Sequence, residues 1–337
     1  MKQIYEAILF YYDLQPIDVE DRGKIKKVTT DRGTFALKET EMTRLQADEF
    51  IHALRKLSKQ AYRQFVPVLP TKFGEYTIIA DAHCYYLMPW IEQVAYTDRV
   101  TMEEKIADQM GVIHRLTVQT EEVSREQLDA SCERLLTRWE ERMDVLKQFA
   151  RRAEEKNYIA PFELSFLTHF VMFEQLYKQA QSYLEKWYEA TVEKGTYRSV
   201  LTHGRMSRHH TLFNEKNEPL LLNFEQASLD TPARDLASFC RHSFPFSLWS
   251  EDAVFRWLHC YEQHLPLLDS EKQLTCAYMM YPEPIYYAVH DYIENASQKQ
   301  EVDHVKRLEK RVIALRKVQR LVPKFMPQEQ YQETETT

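Results

Sequence analysis

The sequence predicts an α+β protein in two lobes: a small β-rich N-terminal lobe over residues 1–90, a large helical lobe over 91–326, and a polar tail over 327–337. Three observations predict it. Short β-prone runs with turn residues crowd the first 90 positions around one amphipathic helix. After Pro89, apolar residues recur at helical spacing behind repeated capping signals. One β-like island at 199–224 interrupts those helices.

In chain order, KIKKVTT and TFALK flank Asp31-Arg32-Gly33, a hairpin signal between two strands over 23–38. Over 41–58, Ala47, Phe50, Ile51, Leu54 and Leu57 fall at helical spacing. FVPVLP is a proline-broken connector, after which YTIIA (76–80) and CYYLMPW (84–90) read as strand–turn–strand around Asp81-Ala82-His83. Thr101 with Glu104 forms a capping box ahead of a helix to about 117, and Ser124 with Gln127 forms another ahead of a long helix over 125–156. Pro161 or Ser165 opens the next, which Gly195 stops as a residue free to turn left-handed. Helices then follow near 250–264, 270–280, 284–296 and 302–322, with Ser270 and Gln273 as a third capping box. The tail QEQYQETETT is too polar to form a core and is predicted disordered.

Composition narrows the functional classes. The chain has 337 residues, of which 44% are hydrophobic and 28% charged, with a net charge of −7. That balance supplies a core and gives no basic footprint for nucleic acid. No window approaches the 18 apolar residues of a membrane span. MKQIYEAILFYYDLQP is broken by Glu6 and Asp13 and lacks the form of a signal peptide, so synthesis in the cytoplasm is expected. The five cysteines (84, 132, 240, 260, 276) form no CxxC pair and predict buried reduced thiols rather than a metal knuckle or a disulfide framework. Only six glycines occur and none cluster, so no glycine-rich phosphate loop is apparent.

The most specific segment is His203-Gly204-Arg205-Met206-Ser207-Arg208-His209-His210-Thr211-Leu212-Phe213, followed by Leu222-Asn223-Phe224-Glu225 and Asp230-Thr231-Pro232-Ala233-Arg234-Asp235-Leu236-Ala237. It resembles the catalytic region of the aminoglycoside phosphotransferase and choline kinase superfamily: His-Gly-Asp, an Asn five residues on, a strand ending Ile-Asp-Phe/Trp-Glu, then Asp-Pro-x-x-Asp-Leu-Ala. Phe35-Ala36-Leu37-Lys38 resembles the strand with the nucleotide-contacting lysine, Met88-Pro89-Trp90 the hinge, and Met110-Gly111-Val112-Ile113-His114 the helix end reading Leu-x-x-Leu-His. The resemblance covers roughly 20–320 and implies a protein-kinase-like fold. Chain size, Trp90-Ile91 after the hinge and the tyrosine-rich helical lobe resemble the CotS-like spore coat branch of endospore-forming bacteria.

The scaffold matches, but three chemical positions do not. The resemblance puts Arg205 at the catalytic base, and a guanidinium has no acceptor for a proton. It puts His210 and Asn223 at the metal positions, a nitrogen donor and a neutral amide where hard Mg²⁺ wants oxygen and charge. The implied reading is a pseudokinase acting in the spore coat, with no cofactor and with other coat proteins as partners. The alternative is an atypical ATP- and Mg-dependent small-molecule phosphotransferase using Glu225 as a metal ligand, on the same strand face as Asn223. A vestigial nucleotide cleft would hold Lys38, Glu49, Met88 and Trp90, with Glu49 pairing to Lys38; the plainer alternative is a solvated strand lysine. Asp235 is expected to brace the loop. His203, His209 and His210 are close in sequence, but adjacent histidines point apart and predict no zinc site. The last helix carries an apolar stripe (Val302, Val305, Leu308, Val312, Leu315, Val322) opposite a basic face (Lys306, Arg307, Lys310, Arg311, Arg316, Lys317, Arg320, Lys324), either solvated or a docking surface for an acidic coat partner.

Overall fold

A computed structural model of the chain describes residues 2–93, 95–96, 101–244, 250–295 and 299–326. The predicted tail over 327–337 lies outside the described residues. Contacts group the chain into two compact units, the first taking Met1–Val118, Val200–Asp230 and Trp257–Leu265 and the second taking Gln119–Ser199, Thr231–Arg256 and Pro266–Thr337.

In the first unit a helix the sequence reading missed, α1 (Lys2–Phe10), precedes β1 (Pro16–Arg22), β2 (Ile25–Thr30), β3 (Gly33–Thr40), α2 (Arg44–Lys59), β4 (Ile78–Ala80), β5 (His83–Pro89) and α3 (Met102–Thr117). The strands form an antiparallel sheet in the order β1-β2-β3-β5-β4. Strand β1 went unread because its PIDVEDR is polar and mostly exposed, with no period-2 apolar signal. Alternation sorts the central strands: Leu37 of β3 and Tyr85 and Leu87 of β5 join Ile8, Leu9 and Tyr12 in one cluster. Ala36, Lys38, Tyr86 and Met88 take the opposite parity. Register pairs Lys38 with Tyr86 and Ala36 with Met88. On that face Phe50 of α2 lies 5.1 Å from the Tyr86 ring.

Helix α3 starts where its capping box predicts, with Thr101 accepting from the Glu104 N–H. Gly111 permits close packing, since a Cβ there would stand 2.7 Å from the Tyr261 carbonyl oxygen. Beside it the buried His114 Nδ1 lies 2.9 Å from the Tyr261 hydroxyl. The unit is completed by the ends of two elements that begin in the other: the second half of β7 (Thr196–Thr202), paired with β10 (Ser228–Asp230), and the last part of α7 (Glu251–Glu262). Between β7 and β10 lies the two-stranded ribbon β8 (Thr211–Phe213) and β9 (Pro219–Leu221).

The second unit opens with β6 (Gln119–Glu122), paired antiparallel with the first half of β7. It holds α4 (Arg125–Glu154), α5 (Pro161–Lys194), α6 (Pro232–Ser243), α8 (Asp269–Met280), α9 (Glu283–Asn295) and α10 (Glu301–Phe325). Pro161 sits at the first turn of α5, and Gly195 ends it at φ 64°. The third capping box needs correction. Helix α8 starts at Asp269, so Ser270 is already inside it, and the Glu271 carboxylate closes back on the Leu268 N–H at 2.9 Å. Aromatic pairs fill the core, Trp139 on Tyr281 at 4.4 Å and Phe162 on Tyr292 at 4.1 Å. On α10 the buried stripe is His304, Leu308, Val312, Leu315, Val318, Leu321, Val322 and Phe325, while Val302 is exposed. Among the described residues, no helix is long and apolar enough to cross a membrane.

Candidate functional site

The loop 203–210 is built around two histidines and one glycine. His203 is fully buried, and its Nε2–H donates to the Leu222 carbonyl at 2.9 Å. Its Nδ1 then accepts the Arg205 N–H at 3.3 Å. Because one partner can only accept and the other only donate, these contacts fix the tautomer. Gly204 has φ 79°, and a Cβ there would stand 2.4 Å from the Gln226 carbonyl oxygen. His210 Nδ1 donates to the Arg205 carbonyl at 2.9 Å, which leaves Nε2 with the lone pair. Burial, with His203 and then the Arg205 and Lys38 cations nearby, pushes the His210 pKa down to about 4 against the help of the Arg205 carbonyl. The ring is therefore neutral at physiological pH. Of Arg205, His210 and Asn223, Arg205 is the one that carries charge there, and its side chain is exposed on the cleft.

Lys38 is not a solvated strand lysine. It is 8% exposed, and its ammonium forms an ion pair with Glu225 and donates to Asn223 Oδ1 at 2.5 Å. Tyr86 donates its hydroxyl to the same Glu225 oxygen at 2.6 Å. Burial alone would raise the Glu225 carboxyl; the Lys38 ammonium and the hydrogen bonds from Lys38 and Tyr86 outweigh it and hold the pKa below the ordinary carboxylate value. The expected helix partner, Glu49, is exposed on α2 instead and lines a separate depression with His52 and Lys56. The lysine's carboxylate comes from 187 residues away.

A second correction concerns Asn223 and Glu225. They do not share a strand face, because β9 ends at Leu221. Asn223 turns left-handed at φ 69°, and Phe224–Gln226 form one 3-10 turn that delivers Glu225 under Lys38. Tyr86 went unnoticed in the sequence; its only signal is its register opposite Lys38. Met88 is buried in β5. Trp90 has the Arg22 and Lys27 cations 5.0 and 4.8 Å from its ring centroid and donates Nε1–H to Glu92 at 2.7 Å. Asp235 is wholly buried in the first turn of α6. Among the described residues, no group of three or more His, Cys, Asp or Glu side chains could hold a metal ion.

Lys38, Arg205, His210, Asn223 and Glu225 line a cleft of about 190 Å³ within the first unit, smaller than the ~300–1,000 Å³ common for small-molecule sites. Magnesium-bound nucleotide fits the side chains poorly. The hard oxygens nearest the metal positions, Asn223 Oδ1 and Glu225 Oε1, already accept from Lys38. His210 offers only an imidazole nitrogen, and Arg205 a guanidinium that cannot accept a proton.

The fold recurs in solved phosphotransferases. An aminoglycoside phosphotransferase from Alicyclobacillus acidocaldarius superposes with a TM-score of 0.73 at 16% identity, covering 95% of both chains. The spectinomycin phosphotransferase APH(9)-Ia, solved with ADP and spectinomycin, gives 0.67 at 12% identity over 95% of this chain and 98% of its own. The choline kinase LicA from Streptococcus pneumoniae gives 0.52 at 15% identity over 94% and 99%. At these identities the likeness establishes the expected kinase-like α+β fold. A family model described as "Spore coat putative kinase YutH" matches residues 5–325.

Proposed function

This chain belongs to the spore coat YutH family, and on that premise we propose that it is a catalytically inert kinase-fold component of the coat, working through contacts with other coat proteins. The observation that carries the reading is the closed Lys38–Glu225–Tyr86–Asn223 network. Phosphoryl transfer is mostly positioning and charge neutralisation around phosphate and metal. Here the lysine's charge is neutralised from within, the carboxylate that could replace a lost metal ligand is committed to it, and the base position is a cation. The same network weighs against the reading of an atypical phosphotransferase using Glu225.

Thermal-shift titration with ATP, with and without magnesium, tests it. Wild-type protein is expected to show no magnesium-dependent shift. The triple variant Arg205→Asp, His210→Asn and Asn223→Asp, which returns the carboxylate and both oxygen ligands, is expected to gain one. Transfer of labelled phosphate by purified wild-type protein at about 1 s⁻¹ or faster, the usual kinase range, would overturn the proposal.

A further inference from the structure

Helix α10 turns one face away from its buried stripe, and that face carries Lys306, Lys310, Ile313 and Arg320 at spacings of four, three and seven residues. All four are exposed, Ile313 at 52%. Lys306, Lys310 and Arg320 have no ion-pair partner among the described residues. Elsewhere in the same unit, α4 carries Asp129, Glu133, Leu136 and Glu140 at spacings of four, three and four. This second stripe borders a groove of about 620 Å³ between α4 and α5, floored by the buried Cys132 and Leu184 and edged on the α5 side by Glu185. Glu133, Glu140 and Glu185 are exposed without an ion pair among the described residues, and Asp129 accepts from the Tyr188 hydroxyl at 2.5 Å.

The two stripes are complements in charge and in spacing. Each sets two like charges four apart, then one apolar residue three further on. Laid along the groove, Ile313 meets Leu136 over the apolar floor while Lys306 faces Asp129 and Lys310 faces Glu133. Within one chain the surfaces cannot meet by this route: α10 binds α5 near Ser165 and His169, and the groove lies at Gln181 and beyond, roughly 18 Å or more further along the helix. We propose that the α4–α5 groove receives the basic face of α10 from a second copy of this chain. The contact uses different surfaces on its two sides, so it is heterologous and propagates into a ring or an open chain of copies.

Sedimentation velocity of the full chain, at about 20 mM and about 500 mM salt, tests this, because exposed charges are screened within ~3–10 Å at the higher ionic strengths. The wild type is expected to grow in mean mass with concentration at low salt and to lose that growth at high salt. Asp129→Lys with Glu133→Lys, and separately Lys306→Glu with Lys310→Glu, each weaken self-association by about tenfold or more. Mixing the two double variants, or combining all four changes in one chain, restores it. Both sites are exposed, so circular dichroism and melting temperature should hold through the series. A wild type that stays monomeric at low salt overturns the proposal. So does association that only one double variant weakens, which would assign that surface to a different partner, or a four-fold swap that fails to recover it.

Discussion

Gly204 meets two demands at once, a left-handed backbone and a Cβ position already taken by the Gln226 carbonyl. Gly204→Ala should therefore cost about 2 kcal/mol or more in urea unfolding, from the backbone strain before any clash is counted. The Lys38–Glu225 pair is buried, and removing one member strands the other. Glu225→Ala is expected to destabilise by about 3–5 kcal/mol, whereas Lys38→Met with Glu225→Leu together should recover most of that loss. Titration separates the two sites. The Glu225 pKa is lowered in the folded chain, so its contribution is present above the ordinary carboxylate range and is lost as pH falls through the folded value. The His210 imidazole is also lowered, to about 4, so as pH falls the unfolded chain takes up its proton first, near the ordinary value of about 6.5. Stability tied to His210 is complete above about 6.5 and declines between there and about 4. His210→Gln should flatten the pH dependence of unfolding free energy in that window, and imidazole NMR should show His210 charging only at its lower end, near pH 4.

At the scale of elements, capping chemistry was the most legible signal. Thr101 and Ser124 open their helices as read, and of the two starts offered for α5 the helix begins at Pro161 rather than Ser165; each satisfies or dispenses with orphan N–H groups locally. Ser124→Ala should cost α4 about 1 kcal/mol by thermal unfolding. Ser270 misled because Glu271, one residue on, makes the competing closure onto Leu268. Strands β1 and β6 left little periodic trace, being short and largely polar; β1 is placed by the adjoining β2, and β6 by β7, whose paired residues lie more than 70 positions on. The α10 stripe was legible in outline. Its outer members shifted, with Val302 exposed and Val318 and Leu321 buried, since the period is that of a helix but the stripe's angle depends on what it packs against.

At the scale of the whole molecule, the cysteines report on folding. Cys84, Cys132, Cys240 and Cys276 are buried. Burial raises the thiol pKa of Cys132 to about 11 and of Cys240 to about 12, and thiolate is the reactive form. Ellman's reagent is therefore expected to titrate all five thiols only after unfolding, with Cys240 among the slowest in the native chain. The match to a family model over residues 5–325 and the likeness in fold to phosphotransferases and a choline kinase at 12–16% identity leave most side chains free to differ. A fold tolerates such changes where the core is kept, since packing and not the exposed cleft supplies most of its stability.

The sequence by itself determined the local parts: turn chemistry, helix starts, the identity of Arg205, His210 and Asn223, and hence what those side chains can donate or accept. Only the tertiary structure decided how they are spent. That Lys38 pairs with Glu225 rather than Glu49, that Tyr86 completes the network, and that His210 is kept neutral all depend on burial and on contacts between residues up to 187 positions apart. Electrostatic partners are chosen by distance and desolvation in space, and no local pattern in the chain encodes either.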